Sequence, residues 1–355
     1  MGYSSNKDIH EFICTIIIEA GCQYMVQGYV NLNTEKNKQW LQEYVDNWVT
    51  FFKKQTDTGK VADYIPKLEE ADPDALGITI IGKGGMQIRS GDLNHSFSIQ
   101  SISKVLSFIV ACIDRGITYI LQRVDVEPTG EAFNSIMHLQ INNPKRPFNP
   151  LVNSGAITVS SLLNGNTSDE KLEPLFNLME KIIGYRPEID VDVYVSERDT
   201  SMRNRAIGYY LLEEGYLESD LGVTLETYFK QCSINITTDD LARIGLVLSN
   251  DGIHPDTEEI IIPKNVARIA KSLMLTCGMY DASGKFASYV GIPAKSGVSG
   301  GILAVVPPRV RNNDLPFLDG CGIGVFGPAL DKQGNSVAGI KLLRHIANSW
   351  DMSVF

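Results

Sequence analysis

Phe97-Ser-Ile-Gln-Ser101-Ile-Ser-Lys104-Val-Leu-Ser-Phe-Ile-Val-Ala-Cys-Ile113 sets a serine and a lysine at the head of a nearly continuous apolar run. A helix this apolar belongs in an interior, and Ser101 and Lys104 share one face of its first turn. A lysine there is costly unless neutralised or paired. Burial lowers its pKa and makes it a base that can take the serine proton. The helix N-terminus also favours the negative charge that develops in acyl transfer. On this motif alone, a catalytic pair and a structural serine beside a snorkelling lysine both stay open. Ser-x-x-Lys recurs at Ser4–Lys7, in the tail, and at Ser168–Lys171, where Asn164-Gly-Asn-Thr-Ser-Asp-Glu170 reads as a helix cap.

A second motif answers the first. Lys295-Ser-Gly297 lies in Pro293-Ala-Lys-Ser-Gly-Val-Ser-Gly-Gly301, ahead of an expected strand at Ile302–Val306. Ser-x-x-Lys followed by Lys-Ser/Thr-Gly is the pairing of serine acyl-transfer enzymes of the penicillin-recognising type, in which the strand supplies an oxyanion N–H. The same stretch holds a competitor: Gly297-Val-Ser299-Gly-Gly301 fits a nucleophile elbow, with Asp319 or Asp331 and then His345 following in order. An elbow needs a helix after its serine. Here Ile302–Val306 and two prolines read as a strand and its stop, which counts against Ser299.

Outward from these motifs, the 355-residue chain is 43% hydrophobic and 21% charged, a globular composition. With 32 Lys+Arg against 42 Asp+Glu, a net charge of −10 argues against nucleic acid and anionic membranes as partners. Six scattered cysteines with no Cys-x-x-Cys pair read as buried free thiols in a reducing cytosol. The Phe12–Ile18 run is short and acid-flanked, unlike a secretory signal, and no stretch is long enough to span a membrane, so the expected location is cytoplasmic. The histidines at 10, 95, 138, 254 and 345 show no metal spacing, and no nucleotide loop is present, so neither metal nor cofactor is expected.

Residues 1–40 read as a separate extension of unknown role, with a helix over Asp8–Gln27 and a polar connector over Asn31–Lys38. Trp40–Lys54 shows helical periodicity, Leu76–Ile81 and Met86–Arg89 form a hairpin across Gly82–Gly85, and residues 101–250 read mostly helical. Phe286–Val290, Ile302–Val306 and Gly322–Phe326 are expected strands, and Val337–Ser349 a closing helix. The expectation is an α+β fold over 41–355: a sheet lobe from about 58–100 and 255–355, and an inserted helical lobe over about 101–254. Glu197 and Asn204, seven apart, are expected two turns along one helix face, where a solvated helix with internal ion pairs is the plainer reading.

Gly59-Lys-Val-Ala-Asp-Tyr64-Ile-Pro, the Ser101/Lys104 segment, Glu127-Pro-Thr-Gly and Phe133-Asn-Ser-Ile resemble the serine-dependent glutaminases. So do Arg146-Pro-Phe-Asn-Pro-Leu-Val-Asn153, Arg203-Asn-Arg, Gln231-Cys-Ser-Ile, Thr276-Cys-Gly-Met-Tyr280-Asp and Pro293-Ala-Lys-Ser-Gly-Val298. The resemblance runs from about residue 58 to the end and is to the short, bacterial type, without ankyrin repeats. Ser154, Ser299 and Pro308 depart from residues usual in the family.

The resemblance implies a β-lactamase/transpeptidase-like fold, with an antiparallel sheet flanked by helices. It implies hydrolysis of L-glutamine to L-glutamate and ammonia without a cofactor, by a homodimer or homotetramer. It makes Ser101 the nucleophile and Lys104 its base, gives Ser101 and Val298 the oxyanion N–H groups, and gives Tyr280 and Tyr228 the proton transfers. Tyr64, Gln100, Asn153, Glu197, Asn204 and Tyr228 would hold the amino-acid end, Glu197 meeting the ammonium. Two other readings follow from the same residues: a related serine acyl enzyme acting on β-lactams or peptides, and a non-enzymatic glutamine sensor that would not need Ser101 and Lys104.

Overall fold

The computed structural model describes residues 35–130, 132, 134, 135, 146–309 and 315–355. Its frame is a five-stranded antiparallel sheet in the order β2-β1-β7-β6-β5. The strands are β1 Gly77–Gly82, β2 Gln87–Gly91, β5 Ala294–Ser296, β6 Gly301–Val306 and β7 Cys321–Phe326. A small ribbon pairs β3 Phe97–Ser98 with β4 Asn235–Ile236. The expected hairpin is present as β1–β2, and β1 also pairs with β7, Gly77 opposite Phe326 and Gly82 opposite Cys321.

Helices α1 (Glu35–Lys53) and α12 (Val337–Ser349) cover one face of this sheet. Ile302, Ala304, Ile323 and Val325 pack there against Trp48, Phe52, Leu342 and Trp350. The opposite face meets α9 (Thr238–Ser249). β7 alternates Cys321, Ile323 and Val325 toward the first face with Gly322 and Gly324 toward α9. A Cβ at Gly322 would lie 1.9 Å from the Ala242 carbonyl oxygen, and one at Gly324 2.0 Å from that of Thr238. The helix therefore rests on strand backbone, which only glycine permits.

Between β2 and β5 run α2 (Ser103–Arg115), α3 (Ile117–Arg123), α4 (Asn153–Leu162), α5 (Ser168–Ile183), α6 (Val191–Thr200), α7 (Met202–Glu213) and α8 (Leu221–Cys232). After α9 come α10 (Lys264–Cys277) and α11 (Ser283–Tyr289). α2 is the buried axis: every residue from Ser103 to Cys112 is inside, and Leu106, Ile109 and Val110 belong to the largest apolar core. α9, within the span expected as the helical lobe, packs on the sheet.

Three local expectations are corrected. Phe286–Val290 is not a strand but part of α11 and its C-terminal end: Phe286 and Val290, four apart, are buried while Ser288 and Tyr289 are exposed, a helical period hidden in a short run. The connector over Asn31–Lys38 is helical from Glu35, so α1 crosses the expected boundary at residue 40. Thr167, not Ser168, caps α5 by accepting the Glu170 N–H, while Ser168 Oγ accepts from Lys230 Nζ. The expected helix over Asp8–Gln27 lies outside the described residues.

Candidate active site

Ser101 sits in a single 3-10 turn, Gln100–Ile102, that leads into α2, so the helix proper begins two residues later than the spacing suggested. Gln100 holds a left-handed φ of 48°, an uncommon conformation for a residue with a side chain, and presents Ser101 at the bend. Lys104 lies on the first turn of α2 and is fully buried; Ser101 is 8% exposed. Lys104 Nζ donates to Asn153 Oδ1 at 2.6 Å and lies 3.4 Å from the Leu151 carbonyl oxygen, both neutral acceptors. Desolvation therefore dominates and lowers its pKa to about 8, against the pull of Cys232 and Glu197.

Asn153 is the first residue of α4, and with its oxygen held by Lys104 its Nδ2 donates to Asn204 Oδ1 at 2.8 Å. Glu197 and Asn204 do not share one helix: α6 ends at Thr200, Ser201 breaks the path, and Asn204 stands in the first turn of α7. Two helix ends thus deliver the pair that the spacing placed on one face. The Glu197 side chain is buried, and desolvation raises its pKa to about 7 despite a hydrogen bond with Gln100 and the Lys104 charge. Tyr228, on α8, is buried with its ring centroid 5.9 Å from Lys104 Nζ. Burial, then Cys232 and Glu197, raises its phenol pKa.

The sheet closes the other side. Tyr280 opens the 3-10 turn Tyr280–Ala282 at φ 55°, donates to the Ser296 carbonyl oxygen at 3.1 Å and hydrogen-bonds Ser101. Burial raises its pKa, and the Ser101 contact opposes this. Lys295 of β5 is wholly buried, donates to the Ser296 carbonyl oxygen at 2.6 Å and lies 4.2 Å over the Tyr280 ring. Desolvation and then Lys104 push its pKa far down. Gly297 follows, where a Cβ would lie 2.9 Å from the Ile99 carbonyl oxygen, so the β5–β6 turn lies against the backbone leading into Ser101. Val298, next in that turn, is buried with Tyr280, Ala62 and Ile65.

Ala62 and Ile65 bring in Tyr64, on a segment tied to the sheet lobe by paired Lys60 and Leu330 backbone bonds. Tyr64 is 53% exposed as a residue, yet burial of its phenol, then Tyr280 and Glu197, raises its pKa. We read the hydroxyl end as turned into the cleft and the ring edge as facing solvent, which accounts for both observations.

Two features were missed from sequence. Cys232 underlies the site, hydrogen-bonded by Ser103 and Tyr228, and its thiol pKa is pushed up to about 12 by burial first. The turn Asp331–Asn335 braces the Tyr280 segment: Asn335 donates to the Met279 carbonyl oxygen, and Gly334 lies beside Val298 and the Tyr280 ring. The left-handed glycine in Asp331-Lys-Gln-Gly334-Asn signals a tight turn but not what it supports.

The elbow reading at Ser299 fails. Ser299 lies in a turn between two strands, with β6 rather than a helix after it. His345 packs between Trp48 and Phe52 on the far face of the sheet. Among the described residues no cluster has the makeup of a metal site, and no helix is long and apolar enough to cross a membrane.

The chain is similar to known proteins in sequence and in fold. The family model described as Glutaminase matches residues 59–355. A glutaminase of Oceanobacillus iheyensis is 82% identical over 331 residues, covering 93% of this chain and 100% of that protein. The crystal structure of a probable glutaminase of Bacillus subtilis superposes with a TM-score of 0.84 at 52% identity, over 88% of this chain and 97% of that one. A covalent complex of Bacillus subtilis glutaminase with 5-oxo-L-norleucine, formed by reaction with 6-diazo-5-oxo-L-norleucine, gives 0.81 at 49%, over 88% and 99%. With a buried serine–lysine pair at the junction of an antiparallel sheet and a helical insertion, in a β-lactamase-like α+β fold, the chain belongs to the glutaminase family.

Proposed function

We propose that the chain hydrolyses the side-chain amide of L-glutamine to L-glutamate and ammonia through an acyl-enzyme on Ser101. The observation that carries this reading is Lys104. It is fully buried one turn from Ser101, bonded to neutral oxygens, with a pKa of about 8, so it is available as a base near neutral pH. Neutral Lys104 takes the Ser101 proton as Oγ bonds to the amide carbon, and the backbone N–H groups of Ser101 and Val298 receive the oxyanion. The proton passes to the amide nitrogen by way of Tyr280, the C–N bond breaks, and ammonia leaves. Water then attacks the ester, its proton going back through the tyrosine and lysine to Ser101; Tyr228 beside Lys104 assists.

Glu197 holds the substrate ammonium, and Tyr64, Gln100, Asn153, Asn204 and Tyr228 hold its carboxylate end. A binding site of buried polar groups rejects amides that lack this head, because its own groups would stay unpaired. No metal or cofactor enters the scheme.

Ammonia release from L-glutamine by purified protein tests the proposal, with Ser101→Ala expected to abolish it while unfolding as wild type. Full activity in Ser101→Ala refutes the assignment. The proposal also treats residues 41–355 as the catalytic unit, with a sheet lobe (about 58–100 and 255–355) and a helical lobe (about 101–254). It places the protein in the cytoplasm as a homodimer or homotetramer, acting without nucleic acid or membrane. The four described cysteines, all free and buried, suit a reducing compartment.

A further inference from the structure

A cleft of about 290 Å³ opens between α11 and α12, and none of the active-site residues lines it. Its floor is apolar, with Phe286 and Val290 buried and Ile340 partly so. Its rim carries two cations, Lys285 and Arg344, and two anions, Asp281 and Asp331. Among the described residues neither cation is paired with a carboxylate; the Arg344 guanidinium lies 4.9 Å over the Tyr289 ring instead. Asp331 Oδ1 already accepts the Gln333 and Asn335 N–H groups, both at 2.9 Å, so that carboxylate is held in place.

We propose that this cleft binds a small apolar zwitterion, an α-amino acid with an aliphatic or aromatic side chain, and that its occupancy tunes turnover. Balanced charge over an apolar floor fits such a molecule better than a simple anion or cation, each of which would face a like charge on the rim. Its carboxylate meets Arg344 and Lys285, its ammonium meets Asp281 and Asp331, and its side chain covers Phe286, Val290 and Ile340 beside Tyr289. The coupling follows from what the cleft joins. Asp281 follows Tyr280 in the same 3-10 turn. Asp331 begins the turn whose Gly334 sits against Val298 and the Tyr280 ring. A ligand held between them fixes the two supports of Tyr280 and Val298 relative to each other. The kinetic half rests on the roles assigned above to Tyr280 and Val298; the binding half does not.

Titration calorimetry of the full chain with L-phenylalanine tests the binding. Saturable binding is expected, with saturating L-glutamate failing to compete. Arg344→Ala should weaken it about tenfold, the size of one charge-assisted hydrogen bond at a partly exposed site. Lys285→Ala should weaken it too, and phenylpropionate and phenethylamine, each lacking one charge, should bind at least as poorly as L-phenylalanine binds Arg344→Ala. In glutamine turnover, L-phenylalanine should change kcat with KM unmoved in wild type, and in Arg344→Ala the same change should need about tenfold more L-phenylalanine. Absence of saturable binding, competition by L-glutamate, or wild-type affinity in both alanine variants overturns the site. Binding that leaves kcat unmoved overturns the coupling. If the chain releases no ammonia at all, the catalytic reading fails by itself while the calorimetry still decides the site.

Discussion

Replacing Glu197 by glutamine should make the substrate-free protein more stable and a poorer enzyme. Burial raises the Glu197 pKa from an ordinary 4.5 to about 7, with the Gln100 hydrogen bond and the Lys104 charge pulling the other way. Between these pH values the unfolded chain has released the proton and the folded chain still holds it. Stability therefore falls as pH rises through the window and stays lowered above it. The displacement corresponds to about 3 kcal/mol at pH 8. Glutamine has nearly the same shape and nothing to ionise, so Glu197→Gln should gain about 1–3 kcal/mol over wild type at pH 8 and little at pH 4.5. It also removes the partner proposed for the substrate ammonium, so kcat/KM for glutamine should drop about a hundredfold, the scale of a lost charged hydrogen bond. Urea unfolding at both pH values, with initial rates of ammonia release, measures both effects. A variant less stable than wild type at pH 8, or a gain of equal size at pH 4.5, would refute the reasoning, since the buried charge would then not be what costs stability.

Three further outcomes are expected. The logarithm of kcat/KM should rise with pH and level off near pH 8 as Lys104 loses its proton. Lys104→Arg should stay inactive at every pH because a guanidinium does not deprotonate; activity in that variant would remove Lys104 as the base. Gly322→Ala would put a methyl 1.9 Å from the Ala242 carbonyl oxygen, backbone that moves only with α9. It should cost about 3 kcal/mol or more and lower Tm by several degrees; a wild-type Tm would mean the helix does not rest on β7.

The parts legible from sequence are those whose signal is local. Ile302–Val306 is apolar and rich in β-branched residues and ends at two prolines, and Val337–Ser349 repeats its apolar residues at helical spacing, so both were found where expected. Ser101 and Lys104 stood out because Ser-x-x-Lys opens a nearly continuous apolar run. Phe286–Val290 misled because a run that short carries no period to separate strand from helix. Glu197 and Asn204 were expected on one helix face and stand on two helices instead, since nothing in Arg198–Arg203 marks the break at Ser201. Tyr64, Asn153, Tyr228 and Tyr280 come from four separate elements, and their meeting is a property of topology that no spacing encodes. Only resemblance to a family could nominate them, and the described coordinates bring Asn153 and Tyr228 to Lys104, Tyr280 to Ser101 and Tyr64 near Tyr280 and Glu197.

The pairing of β1 with β7 also fixes when this protein can come into being. A ribosome releases the β1–β2 hairpin early, but the strand that lies beside it, Gly82 opposite Cys321, emerges near the end of synthesis. Until then one edge of β1 is unpaired, an invitation to wrong partners, while the helices between them can already collapse around α2. Ser101 and Lys104 are made early, and the turn that carries Val298 late. A nascent or truncated chain can thus carry its serine and lysine and still lack the turn that bears Val298, so the site proposed above is complete only when the sheet is.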